Sequence, residues 1–103
     1  MMQIQDEEKG KTQYLFQGDL GVSALQEIYS QLSEQKIQKG THYFRVSEVE
    51  HLDMSFFQVL YAYIQQLRKE GKEVIVDFQL DEENGRVFDR SGLRKAFDHL
   101  ING

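Results

Sequence analysis

No cysteine occurs among the 103 residues, which excludes disulfides, zinc–thiolate centres and thiol nucleophiles. Proline is absent as well, which excludes no fold class. Basic residues are scarce: 12 Lys and Arg stand against 17 Asp and Glu, giving a formal net charge of −5 and a pI near 5.1. Without a basic excess to set against phosphates, nucleic acid and anionic membrane surfaces are poor partners. No apolar run approaches the length of a membrane span, and residues 1–11 contain no apolar signal core. These absences lead to the expectation of a soluble cytoplasmic protein with no direct membrane insertion. Hydrophobic residues make up 40% of the chain, enough for a small core, so a single folded domain over residues 1–103 is expected.

Catalytic and ligand signatures are also missing. Gly10-Lys11-Thr12 resembles the end of a phosphate-binding loop, but Gln5 stands where that loop requires its first glycine, and the flanking elements are wrong. The acidic run Asp81 to Asn84 lacks calcium-loop spacing and a distal glutamate, and reads as a solvated turn. His42, His51 and His99 show no ligand spacing, and no Ser-His-Asp set can be assembled. The expectation is therefore no catalytic residue, no metal, no cofactor and no enzyme activity. A small-ligand or nucleotide binder is the weakest reading.

What is present is organised around residues 49–71. Phe56, Phe57, Leu60, Tyr63, Ile64 and Leu67 recur at the spacing of one helical face, and Gly71 supplies the stop. Ser55 with Gln58 three residues on fits a capping box, which starts the helix at 53–55. Strand-like segments flank it at 42–46 and 73–78, a βαβ arrangement. The apolar run at 73–78 suits an interior strand. Upstream, residues 2–5 and 12–17 suggest a hairpin around a turn at 6–10. Residues 18–21 break the second strand. Ser23 then caps a helix whose buried face is Leu25, Ile28, Tyr29 and Leu32, with Ile37, Lys36 and Lys39 near its end and Gly40 closing it. In the 41–46 strand, His42, Phe44 and Val46 share one face and Tyr43 and Arg45 the other. Residues 86–90 suggest a short helix, 91–93 a break, and Leu93, Phe97, Leu100 and Ile101 a final helix. Right-handed crossovers place Asp53, Met54 and Ser55 at the C-terminal edge of the sheet, where α/β proteins usually bind. The plainest role for Asp53 and Ser55 there is capping; the alternative is a regulatory contact, with phosphate facing free N–H groups and the positive end of the helix dipole. The aromatic set Phe56, Phe57, Tyr61 and Tyr63 exceeds what one helical face buries. At least one exposed member near the turn is expected, and such apolar surface also allows a homodimer.

The ordered set resembles a STAS domain, the fold of anti-sigma-factor antagonists and of sulfate-transporter tails. The set is the N-terminal hairpin, the Gly18-Asp19-Leu20 step, Leu52-Asp53-Met54-Ser55, the 73–78 strand, and Arg86-Val87-Phe88 leading to Ser91-Gly92-Leu93 and Phe97. The resemblance covers nearly the whole chain. It implies an α/β, STAS-like fold: a mostly parallel four-stranded sheet with an N-terminal β-hairpin and helices mainly on one side. It also implies a non-enzymatic partner of an anti-sigma-kinase-like ATPase in bacterial partner switching, signal transduction and transcription regulation. The implied docking residues are Asp53, Met54, Ser55, Phe56, Phe57 and Gln58. In the family the Asp is followed by a phosphorylatable Ser or Thr, a small residue, Gly and Leu. Here Met54 stands at the acceptor position, Phe56 at the Gly and Phe57 at the Leu. Methionine cannot be phosphorylated and Ser55 could serve only with the turn shifted by one residue, so the resemblance implies docking with weak or absent phosphoregulation, Ser55 being the candidate site. The alternative that the resemblance implies is a STAS subunit of a membrane assembly, such as a lipid-transport ABC system, that binds its ATPase.

Overall fold

The computed structural model describes residues 2–7, 10–34 and 40–102. Strand β1 (Met2–Glu7) pairs antiparallel with β2 (Lys11–Leu20), from Met2↔Phe16 to Glu7↔Lys11. Helix α1 (Val22–Glu34) precedes β3 (Thr41–Leu52), which lies parallel to β2. Helix α2 (Met54–Lys69) then carries the chain to β4 (Glu73–Phe78), parallel to β3, so the sheet order is β1-β2-β3-β4. Helices α3 (Glu82–Ser91) and α4 (Arg94–Asn102) follow. This is the mostly parallel four-stranded sheet with an N-terminal hairpin that the sequence implies.

One face of the sheet is covered by helices. Thr12, Tyr14 and Phe16 on β2, His42, Phe44 and Val46 on β3, and Val74 on β4 are buried at alternate positions, because side chains in a strand alternate faces. Phe56, Phe57, Leu60, Ile64 and Leu67 of α2 close over them. An aromatic cluster occupies the α2–α3–α4 side. Phe57 stacks on Phe88 at 4.3 Å, and Phe78 and Phe97 meet Phe88 at 4.7 and 5.7 Å between centroids.

The structure moves several expectations. Residues 18–20 of the expected break lie inside β2, which runs on to Leu20, and Gly18 takes positive φ (76°) where the register shifts. Ser23 is not the cap of α1. The helix is already under way at Val22, with Ala24 N–H donating to Gly21 O. Tyr29 is 62% exposed, leaving Ile28 and Leu32 as the buried residues of α1. Lys36, Ile37 and Lys39 lie outside the described residues, as do Glu8 and Lys9 of the hairpin turn. The acidic run at 81–84 is not a turn but the start of α3. Asp81 caps it by accepting from Asn84 N–H at 2.8 Å, and Glu82 and Glu83 sit in the first turn, where the helix dipole favours negative charge. Strand β4 is an edge strand, not an interior one. Its apolar run reflects a helix-covered face plus one apolar side chain, Ile75, on the uncovered face at 43% exposure.

Candidate functional site

The geometry of the C-terminal sheet edge starts from a mismatch in strand length. From Phe16↔Val46 the ladder steps to Gly18↔Val49 and then Asp19↔His51, so β3 holds two more residues than β2 over this stretch. Glu48 takes positive φ (52°), a conformation an L residue adopts at a cost, and Gln17 Nε2 donates to its carboxylate at 2.8 Å. The irregularity brings Leu20 opposite Leu52, and Asp53 N–H donates to Leu20 O at 3.3 Å. Val22 and Met54, each two residues on, therefore open neighbouring helices at the same edge.

Asp53 is the N-cap of α2. Its extended backbone (φ −98°, ψ 149°) ends the strand, and its carboxylate accepts from Ser55 N–H at 2.9 Å. The same oxygen, Oδ2, accepts the Ser55 hydroxyl in a short hydrogen bond. Ser55 is thus inside the helix as a donor to the cap; it is not the cap of a Ser55–Gln58 box. The Ser55 side-chain bond, its backbone bond and the nearby His51 hold the Asp53 carboxyl below its usual range, against a smaller opposing effect of desolvation. His51 lies close over Gly21: a Cβ on that glycine would come within 2.6 Å of His51 Cδ2. Gly21 N–H in turn donates to Asp19 Oδ1 at 2.8 Å.

The carboxylate gives a pH prediction. A folded-state pKa below the unfolded one contributes stability that is present above the unfolded value and lost as pH falls through the folded value. Urea midpoints measured from neutral to acid pH should show this loss, and Asp53→Asn, which keeps a capping oxygen but cannot titrate, should flatten the acid limb. An unchanged limb would remove Asp53 from the account.

The six residues the sequence singled out divide in two. Phe56 and Phe57 have no exposed surface. Phe56 meets Phe16 edge-on at 5.3 Å, so its bulk points into the core. Tyr61 and Tyr63 are half-buried, and the expected exposed aromatic near the turn is not found. Met54 is 38% exposed, Gln58 is exposed, and Asp53 and Ser55 are partly so. Among the described residues Met54 is the one exposed large hydrophobic side chain of α2, a narrower basis for self-association than the sequence suggested. The sequence reading missed Val22, at 69% exposure. Its signal was an apolar residue immediately before the helical periodicity of α1, beyond the buried set.

Away from this edge, His42 is wholly buried and hydrogen-bonded. The Tyr14 hydroxyl lies 2.9 Å from His42 Nδ1 and 3.2 Å from the Tyr63 hydroxyl. Asn84 is buried and donates to Val49 O at 3.4 Å, tying α3 to β3 just before the edge. Among the described residues no three His, Asp or Glu side chains converge as metal ligands, and no helix is long and apolar enough to cross a membrane.

No family model matches the chain, and no curated protein matches it. Among solved structures, the chain is similar to the anti-sigma factor antagonist SpoIIAA in its unphosphorylated form. The match has a TM-score of 0.64 and 14% identity, and covers 86% of this chain and 82% of that one. At that identity the likeness establishes the fold, which is the STAS-like fold that the ordered motifs implied.

Proposed function

We propose that this chain is a non-enzymatic protein–protein interaction module that works as an anti-sigma factor antagonist does, with residues 1–103 forming one module. It docks on a regulatory ATPase of the anti-sigma-kinase class through the C-terminal sheet edge and the start of α2. The observation that supports this most directly is the pair of exposed apolar residues, Val22 and Met54, at two neighbouring helix starts beside the Asp53–Ser55 cap. Exposed apolar side chains rimmed by polar groups suit a protein partner. Asp53, Met54, Ser55 and Gln58 form the contact surface, and Phe56 and Phe57 hold its backbone from beneath. The setting is cytoplasmic control of bacterial transcription by partner exchange.

Charge at Ser55 is the regulatory element of this reading. A phosphate there would replace the hydroxyl proton that now bonds the Asp53 carboxylate and set a second negative group against it. Met54 in place of the usual acceptor favours a second reading of the same surface, constitutive seating on the ABC ATPase of a lipid-transport system. Tagged wild-type and Ser55→Asp proteins, used to capture partners from the native cell and read by mass spectrometry, separate the two. Recovery of a histidine-kinase-like ATPase that falls on the order of tenfold with Ser55→Asp supports partner switching. Equal recovery of a transporter ATPase with both proteins supports the constitutive subunit. Recovery of neither ATPase class overturns both.

A further inference from the structure

Strand β4 has a free edge, and its chemistry differs from that of the docking turn. Among the described residues β4 pairs only with β3. Gln79 N–H donates to Val46 O at 2.8 Å, continuing the ladder beyond Phe78. In a parallel pair, alternate residues send both N–H and C=O to the same side, so Val74, Val76 and Phe78 turn theirs toward the open edge. Edge strands are usually blunted by proline, a bulge or an inward charge. The β3–β4 register is regular from Thr41↔Glu73 to Val46↔Phe78, and the centre of the strand is Val74-Ile75-Val76. Beside the edge runs a cleft of about 490 Å³, lined by Val74, Val76 and Phe97, with Arg68 and Arg94 also on its wall.

The charges on β4 select the occupant. Glu73, Ile75 and Asp77 lie on the face that no helix covers. Among the described residues neither carboxylate is in an ion pair: Asp77 accepts from the neutral Gln79 amide at 2.9 Å and the Tyr43 hydroxyl at 3.4 Å, while the neighbouring Arg45 donates to Gln79 Oε1. A second copy fits poorly. Joining two β4 edges about a two-fold axis must set outward-turned residues against one another. The central registers then place Glu73 opposite Asp77, Asp77 opposite Asp77, or Ile75 opposite Asp77. Like charges directly across a strand pair are destabilising, and a net charge of −5 on each copy adds to the repulsion. We propose that β4 accepts an extended segment of a different protein as an added strand. That segment carries lysine or arginine opposite Glu73 and Asp77, an apolar residue opposite Ile75, and apolar side chains turned into the cleft. Main-chain hydrogen bonds to Val74, Val76 and Phe78 supply affinity, and the two carboxylates supply selectivity.

Amide exchange by NMR tests this with a blocked peptide alternating lysine and valine, beside one alternating glutamate and valine. In the free protein the Val74 and Val76 amides should exchange faster than those of Ile75 and Asp77. The lysine peptide should slow them and the glutamate peptide should not. Glu73→Lys should weaken the lysine peptide roughly tenfold. Val76→Pro removes an outward N–H at a position where an edge strand tolerates proline, and should abolish the response with the far-UV spectrum unchanged. No slowing by the lysine peptide, equal response to both peptides, or undiminished binding by Val76→Pro overturns the proposal. So does protection in the free protein accompanied by a dimer in sedimentation, which would assign the edge to a second copy.

Discussion

Replacing Phe56 with glycine should destabilise this protein by about 3–6 kcal/mol. The ring has no exposed surface and packs edge-on against Phe16 at 5.3 Å and Phe57 at 5.6 Å. Truncating a buried phenylalanine costs about 3–5 kcal/mol, through lost transfer energy and an unfilled cavity. Glycine in a helix adds up to about 1 kcal/mol from its greater freedom in the unfolded chain. A domain of this size has about 5–15 kcal/mol in total, so the variant should be partly or wholly unfolded at ambient temperature. Urea denaturation followed by far-UV circular dichroism reads the effect, with Phe56→Ala as the intermediate case. A loss of less than about 1.5 kcal/mol would mean that this ring is not a core element. The fold should tolerate the substitution poorly because the core packs around the ring.

The second large effect belongs to Tyr14. Its hydroxyl joins His42 Nδ1 on the next strand to the Tyr63 hydroxyl on α2, and its ring stacks on Phe44 at 4.1 Å. Burial and the Tyr14 bond act in opposite directions on Tyr63, and burial prevails, raising its phenol above the usual range. Tyr63 therefore stays neutral and available for hydrogen bonding across the ordinary pH range. Tyr14→Phe keeps the stack and removes only the hydroxyl, so it breaks both the link to His42 within the sheet and the link to Tyr63 on the helix. Losing a buried hydrogen-bonding group costs about 1–3 kcal/mol. Chemical denaturation of Tyr14→Phe beside Tyr63→Phe and the double variant would resolve it. Strictly additive losses would show that the two hydroxyls do not act together.

Wherever one periodicity runs without interruption, the residues alone show which face of the element turns inward. The 3.6-residue spacing from Phe56 to Leu67 and the alternation of His42, Phe44 and Val46 each admit one buried face, and the structure buries those faces. The sequence also placed a helix start at 53–55, although through a Ser55–Gln58 box where Asp53 proves to be the cap. Helix α3 shows where local signals fail: the acidic run at 81–84 reads as a solvated turn, yet Asp81 caps a helix whose buried Asn84 bonds Val49 O.

Features that depend on neighbours distant in sequence emerge only once the chain is folded. An apolar strand reads the same at the centre of a sheet as at its edge, so the open side of β4 follows from strand order alone. The two additional residues of β3 become visible only against β2, and they bring Val22 and Met54 to one edge. Likewise, periodicity counts apolar residues on a helix but does not say how much ring surface the adjoining elements can take. Phe16, Phe78, Phe88 and Phe97 take up Phe56 and Phe57 and contact Tyr61, leaving Met54 rather than an aromatic at the surface. Local sequence fixes which side of an element is apolar; the depth of the core beneath that side depends on elements that meet only when the chain has folded.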